Sequence, residues 1–157
     1  MKKWIVVLLC ILIIVIWQSI FTYKSAQDYL TNQHKKAISA AKGVESIMEV
    51  TDISTYHGTS SYSIIYSILS DDSERIICVP NKDNLEIITI DPEEGISKEE
   101  AIEIVRNNRN PLSILSVTIG VEQNVPIWEI TYLDQQERYS YYYVTFKDGT
   151  FIKRYSL

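Results

Sequence analysis

The sequence is poor in the residues that build cross-links and metal sites. It has two cysteines, Cys10 and Cys78, and two histidines, His34 and His57, among 157 residues. A disulfide framework and a cysteine-based zinc site are therefore excluded, and neither histidine has a second histidine or a cysteine at the spacing that zinc requires. We expect both histidines to be solvated, Cys78 to be a small buried apolar residue, and the chain to hold no metal or other cofactor.

Motifs of catalysis are also missing. No Gly-x-Ser-x-Gly sequence marks a hydrolase nucleophile, so a Ser-His-Asp triad, which residue order alone leaves open, has no support. The acidic clusters in residues 71–74 and 91–94 fall in predicted turns, whereas a glycosidase needs two carboxyl groups in a rigid cleft. Neither cluster has the spacing of a calcium loop. We predict no catalytic residues and no small-molecule substrate, so the protein is expected not to be an enzyme.

Glycine and proline are scarce, with five and four residues, which excludes a collagen-like chain. A content of 46% apolar and 22% charged residues excludes a disordered one. The net charge is −5, and the chain without residues 1–23 has 13 basic against 20 acidic side chains. Because nucleic-acid phosphates need a basic surface, nucleic acid is excluded as a partner.

The sequence does have one long apolar run. Every residue from Trp4 to Trp17 is apolar, and after two polar residues the run resumes and ends at Tyr23. As a helix, these residues would measure about 30 Å, the thickness of the hydrocarbon layer of a membrane. We predict that residues 4–23 cross the lipid bilayer.

The flanks of this run predict its orientation. Lys2 and Lys3 favour a cytoplasmic N-terminus, which places the rest of the chain outside the cytoplasm. A cleaved signal peptide, the alternative, needs a shorter apolar core and small residues at its cleavage site, which Ser19, Ile20 and Phe21 do not provide. We therefore expect an uncleaved, single-pass anchor.

A helix is predicted from Lys24 to Lys42, because no glycine or proline interrupts this segment before Gly43. Its apolar residues recur at spacings of three or four: Ala26, Leu30, Ala37, Ala41 and Val44. The helix can continue directly from the membrane segment as a stalk, or pack as the first helix of a domain. The pattern leaves both alternatives open.

Two similar sets of predicted elements fill the rest of the chain. The first has four strands, roughly Ile47–Tyr56, Ser61–Leu69, Arg75–Val79 and Leu85–Ile90. After a break at residues 91–95, Ser97 and Glu100 have the spacing of a capping box that starts a helix. Four more strands follow it: Ser113–Val121, Pro126–Leu133, Arg138–Phe146 and Thr150–Tyr155. The predicted fold is α+β, with an anchor of residues 1–23 and two modules, 24–91 and 92–157, each a helix on an antiparallel sheet.

The two sets repeat in sequence as well as in order. Residues 35–38 lie 64 positions before residues 99–102, and residues 79–84 lie 65 positions before residues 144–149. A helix and a final hairpin therefore recur almost in register, which predicts an internal duplication.

Three segments carry a resemblance to a known family: Gly95–Ile102, Pro126–Asp134 and Tyr142–Gly149. They resemble the C-terminal module of the TseB-like (YpmB-like) family of small membrane-anchored proteins of Gram-positive bacteria. The resemblance implies two cystatin-like, PepSY-related modules outside the membrane. It also implies a non-enzymatic regulator of cell wall elongation that acts by contact with a membrane-bound penicillin-binding transpeptidase. The family has no catalytic residues to carry over.

A second function stays open, namely an inhibitor or chaperone-like restraint on an extracellular peptidase, as PepSY modules in general are suspected to be. The segment Gln123–Ile127 is similar to the Gln-x-Val-x-Gly hairpin with which cystatins enter cysteine proteases, except that Ile127 replaces the glycine. A five-residue similarity with one mismatch is a weak signal, and an ordinary turn is the favoured interpretation of this segment.

Aromatic residues are the candidate partner-binding residues. Tyr139, Tyr141 and Tyr143 share one face of a predicted strand, and Trp128 and Tyr132 share one face of its neighbour. Such side chains are frequent at the centres of interfaces, and a sheet needs only one face against its helix. The alternative is that these rings form the core. A contiguous exposed patch would favour partner binding.

Overall fold

The computed structural model describes residues 2–82 and 85–157, and the side chains of all of these except residues 2–10 and 26. The chain divides into two compact units, Met1–Lys36 and Ala37–Leu157. Helix α1 (Lys2–Ala41) provides the first unit, and its last residues belong to the second.

The first unit exposes large apolar side chains along its helix. The hydroxyl groups of Ser19, Thr22 and Thr31 each donate to the carbonyl oxygen four residues earlier in the helix. The exposed apolar side chains include Ile11, Leu12, Ile13, Ile14, Val15, Ile16, Trp17, Ile20 and Phe21.

We expected residues 4–23 to cross a membrane. Among the side chains that the structure describes, no helix combines the length and the apolar character that crossing a bilayer requires. Residues 4–10 of the expected span lie outside the described side chains.

The second unit contains two four-stranded antiparallel sheets, each with its strands in sequence order. The first sheet consists of β1 (Ile47–His57), β2 (Ser61–Leu69), β3 (Glu74–Pro80) and β4 (Ile88–Ile90). After a short 3₁₀ turn at Pro92–Glu94 comes helix α2 (Lys98–Arg109). The second sheet consists of β5 (Ser113–Glu122), β6 (Val125–Leu133), β7 (Tyr139–Thr145) and β8 (Phe151–Ser156). The predicted α+β class with two antiparallel sheets is confirmed, whereas the division at residues 23 and 91 stays a prediction.

Strand β4 is shorter than the predicted Leu85–Ile90. The side chain of Leu85 packs against the core, which accounts for an apolar residue at this position. Its backbone, however, lies outside the paired segment. An apolar run alone does not separate these two roles, since both bury the side chain.

The start of α2 follows the sequence closely. Ser97 accepts a hydrogen bond from the amide of Glu100, whose carboxylate accepts one from the amide of Ser97, so the predicted capping box is present. Asn110 ends the helix in the left-handed conformation, and its amide donates to the carbonyl of Arg106.

The two sheets meet their helices in the same way. Ala37 and Ala41 of α1 are buried with Ile65, Ile77 and Val79 of the first sheet. On α2 the buried residues are Ala101 and Val105, 64 positions later in both cases. Small side chains at these positions let each helix lie close to its sheet, so the last turn of α1 belongs to the core of the first sheet.

A strand irregularity repeats with the same spacing. The register of β1 shifts between Val50 and Asp52, and that of β5 shifts between Ile114 and Ser116. Both shifts are 64 positions apart and both lie in the first strand of a sheet. This agreement in backbone detail supports the duplication that the sequence predicts.

A continuous core joins the two sheets. It contains Tyr62, Ile64 and Cys78 of the first sheet together with Ile127 and Val144 of the second.

At the edge of this core, the ring of Tyr56 lies where Gly120 has no side chain, and a Cβ at Gly120 would clash with the ring. The absence of a side chain at Gly120 therefore permits the close approach of β1 to β5.

We predict that Gly120→Ala lowers the free energy of unfolding by about 1–3 kcal/mol, because the added methyl group must displace the buried Tyr56 ring. Ser116→Ala, at an exposed position of the same strand, is the control and should change it by less than about 0.5 kcal/mol. Urea denaturation of the full-length protein measures both. Equal stability of the two variants would contradict the close approach.

Candidate interaction surface

The second sheet has two differently covered faces, which its pairing register defines. Trp128 pairs with Val144, and Glu129 pairs with Tyr143. Because neighbouring partners point to the same side of a sheet, Trp128 and Tyr143 point to opposite sides. The five candidate aromatic residues therefore do not share one face.

Trp128 and Tyr132 lie on the face that packs beneath α2, and both are buried. The indole nitrogen of Trp128 donates to the carbonyl of Ile96 at 3.0 Å, and its ring is 6.1 Å from that of Phe146. For these two residues the burial agrees with the core interpretation, since Trp128 is 7% exposed and Tyr132 is 1% exposed.

The opposite face carries Tyr139, Tyr141 and Tyr143, as the alternation in β7 predicts. Burial falls along the strand: Tyr143 is 9% exposed, Tyr141 is partly buried, and Tyr139 is 55% exposed. The covered end lies beside Glu129, and the open end lies beside Leu133.

Strand β8 adds further side chains to the exposed end of this sheet face, beside Tyr139. Tyr155 pairs with Tyr141 and is 53% exposed, and the amide of Leu157 donates to the carbonyl of Tyr139. We call Tyr139, Tyr141, Tyr155 and Leu157 the tyrosine surface. These side chains are neighbours on one sheet face, and they form an apolar patch with phenolic hydroxyl groups.

A buried polar cluster borders the tyrosine surface. The carboxylate of Glu122 accepts hydrogen bonds from the hydroxyl of Tyr56 at 2.8 Å and from the hydroxyl of Thr59 at 2.6 Å. The ammonium group of Lys153 is 3.3 Å from the same carboxylate and 4.7 Å from the centre of the Tyr143 ring. Glu122 thereby joins the β1–β2 hairpin of the first sheet to the second sheet.

The environment shifts the pKa of Glu122 and the pKa of the nearby Glu129 in opposite directions. Burial opposes ionisation of Glu122, but the hydrogen bonds from Thr59 and Tyr56, together with Lys153, outweigh it and lower its pKa. Burial dominates at Glu129 and raises its pKa, although a hydrogen bond with Tyr143 opposes the shift.

The phenols beside these carboxylates are held in the neutral form. Burial, followed by the hydrogen bond to Glu122, raises the pKa of Tyr56. Burial, followed by the hydrogen bond to Glu129, does the same to the pKa of Tyr143. Both hydroxyl groups therefore act as hydrogen-bond donors.

The other candidate residues are not brought together into a site. Cys78 is fully buried as expected, and burial raises the pKa of its thiol to about 12. His57 is exposed, with Nδ1 3.1 Å from the hydroxyl of Ser61, and His34 is partly exposed. No group of three or more potential metal ligands occurs among the described residues.

The cystatin-like segment forms a tight turn. Gln123 and Asn124 have positive φ values of 51° and 64° and make up the two-residue connection between β5 and β6. Both side chains are exposed. This conformation is that of an ordinary hairpin turn.

The chain is similar to known proteins in both sequence and structure. The model of the PepSY family, described as peptidase propeptide and YPEB domain, matches residues 95–155. The probable cell wall elongation regulator TseB of Bacillus subtilis is 29% identical over 131 residues, which cover 83% of this chain and 81% of TseB. The solved structure of YpmB protein from Bacillus subtilis matches with a TM-score of 0.75 and 27% identity, covering 79% of this chain and 97% of that one.

The resemblance to the TseB-like family is confirmed. The family model covers α2 and the strands that carry the tyrosine surface up to Tyr155.

Sequence reasoning missed four residues of the tyrosine surface and its border. Tyr155 and Leu157 were not among the candidates, although the Asp-Gly turn before β8 and strand alternation together give a signal that places Tyr155 beside Tyr141. Glu122 and Lys153 come together only through tertiary contacts, and no local pattern marks them.

We predict opposite effects of the two glutamates on stability. The lowered pKa of Glu122 means that its stabilising contribution is present above its unfolded value of about 4.3 and is lost as pH falls through the folded value. For Glu129, whose pKa is raised, the contribution is present at low pH and is lost as pH rises through the folded value.

At pH 7, Glu122→Gln should therefore reduce the free energy of unfolding by about 1–3 kcal/mol, and Glu129→Gln should maintain or increase it. Near pH 3 the Glu122→Gln deficit should shrink. Urea denaturation of the full-length protein at both pH values checks this. A loss at pH 7 for Glu129→Gln equal to that for Glu122→Gln would contradict it.

Proposed function

We propose that this protein is a non-enzymatic, membrane-anchored regulator of cell wall elongation that binds a penicillin-binding transpeptidase outside the cytoplasm. The observation that carries the proposal is the tyrosine surface, an exposed aromatic patch on a sheet whose opposite face is already covered by α2. The similarity to the cell wall elongation regulator TseB supplies the biological process.

The chemistry of the tyrosine surface suits protein recognition. Tyrosine offers a large apolar ring with a polar tip and loses little conformational entropy on binding. Tyr139 and Tyr155 are about half exposed in the free protein, so a partner can bury the remaining area. Strand pairing fixes the backbone positions of both residues.

Membrane attachment is the second component of the proposal. It is supported by the uninterrupted apolar sequence from Trp4 to Trp17 and by the exposed apolar side chains of the first unit. Two proteins held at one membrane meet at a high effective concentration, so a weak contact through the tyrosine surface is sufficient.

A restraint on an extracellular peptidase is the second candidate function. The match of residues 95–155 to a peptidase propeptide family favours it. The two functions differ in the partner that the tyrosine surface would bind.

We predict that Tyr139→Ser combined with Tyr155→Ser reduces capture of the transpeptidase by about tenfold or more, because loss of an interface hot spot costs about 2 kcal/mol. The measurement is crosslinking in cells with affinity-tagged full-length protein, followed by quantification of each captured partner. Both residues are exposed, so the variant should retain its thermal unfolding temperature.

Tyr29→Ser is the matched control, because Tyr29 is 70% exposed but lies in the first unit. Undiminished capture of the transpeptidase by the double variant would contradict a role of the tyrosine surface. Capture of a peptidase in place of a transpeptidase would favour the second candidate function.

We predict that the full-length protein sediments with membranes and resists extraction by alkaline carbonate, because about 20 consecutive largely apolar residues partition into lipid. Deletion of residues 2–23 should move it to the soluble fraction. Protease added outside intact protoplasts should degrade the second unit. Protection of that unit, or release of the intact protein by carbonate, would contradict the predicted anchor.

A further inference from the structure

A groove of about 550 Å³ lies at the end of the second sheet that is remote from the tyrosine surface. One wall consists of Thr89 and Ile90 of β4 followed by Asp91 and Glu94. The other consists of Val125 and Pro126 of β6 with Phe146 and Lys147. This volume is in the range of roughly 300–1,000 Å³ that is common for ligand sites.

The second wall of the groove is rigid. The amide of Phe146 donates to the carbonyl of Pro126 at 2.9 Å, and the carbonyl of Phe146 accepts from the amide of Ile96 at 2.8 Å. The Phe146 ring fills the place where Gly95 has no side chain. Backbone hydrogen bonds and the packing of Phe146 therefore hold this wall in place in the free protein.

The first wall presents an open strand edge. Strand β4 is the last strand of its sheet, and among residues 2–82 and 85–157 it pairs with β3 alone, so the other side of its backbone has no strand partner there. The groove runs along this strand at Thr89 and Ile90. An extended peptide can add to such an edge by backbone hydrogen bonding, with side chains in the pockets alongside.

The wall of the groove that carries β4 presents negative charge. Asp91 forms an ion pair with Arg75, and Lys147 lies on the opposite wall of the groove from Glu94. Glu93 and Glu94 are exposed, and within residues 2–82 and 85–157 neither carboxylate forms an ion pair. Glu94 therefore presents an unpaired negative charge on the wall that carries β4, and Glu93 precedes it in the chain.

We propose that this groove binds an extended peptide segment of a partner protein, adding as a strand to β4. An apolar side chain of the peptide contacts Val125, Pro126 and Phe146, and a lysine or arginine side chain lies beside Glu94. Val125 is 45% exposed in the free protein and would become covered.

This inference does not rest on the proposed function. The groove and the tyrosine surface lie at opposite ends of β6, about 26 Å apart for a strand rising about 3.3 Å per residue. Loss of binding at one surface can therefore be measured while binding at the other is retained.

The test uses two fluorescein-labelled hexapeptides, one of alternating valine and lysine and one of alternating valine and glutamate. Fluorescence anisotropy measures their binding to the full-length protein in detergent. We expect the lysine peptide to bind and Glu94→Lys to weaken it by about fivefold or more, since attraction becomes repulsion. The same variant should bind the glutamate peptide more tightly than the wild type does.

Glu137→Lys is the matched control, because it changes the same charge at an exposed position in the β6–β7 turn, outside the groove. It should alter neither peptide's affinity by more than about twofold. A photoreactive version of the lysine peptide should crosslink to Thr89, Ile90 or Val125. Three results would each overturn the proposal: no binding of the lysine peptide, equal affinities for wild type and Glu94→Lys, or crosslinks confined to other residues.

Discussion

The contact of Tyr56 with Gly120 and Glu122 determines how the two sheets of the second unit are arranged. The ring of Tyr56 reaches the backbone of β5 only because Gly120 has no side chain, and its hydroxyl then donates to the buried carboxylate of Glu122. A buried carboxylate is costly unless it is hydrogen-bonded and paired. Tyr56, Thr59 and Lys153 meet that requirement, so the cluster fixes the hairpin at this position.

That contact also determines which part of the second sheet stays open. Residues of the β1–β2 hairpin meet the sheet at the Glu122 end, next to Tyr143, and Tyr139 and Tyr155 at the other end remain exposed. An internal duplication of two similar modules would by itself give two equivalent sheets. The polar cluster makes the two sheets different, because the β1–β2 hairpin of the first sheet covers one end of the second sheet.

The sequence was most informative where local chemistry decides the structure. The capping box at Ser97 and Glu100, the alternation of β7 and the recurrence of the helix after 64 residues were all predictable, because each depends on residues close in the chain. The relation between Trp128 and Tyr143 was not predictable. Alternation tells which residues of one strand share a face, but only the pairing register tells which faces of two strands coincide. The exposure of the tyrosines was also beyond sequence reasoning, because a hairpin from the other sheet covers one end of the row.

The irregular strand β1 has a consequence for crowding. It is the outer strand of the first sheet, its register shifts twice, and it carries the exposed side chains of Glu49 and Asp52. Bulges and negative charges on an edge strand disfavour the pairing of a strand from a second molecule with that edge. At high local concentration, this edge is therefore a poor template for a strand from a second copy of the chain.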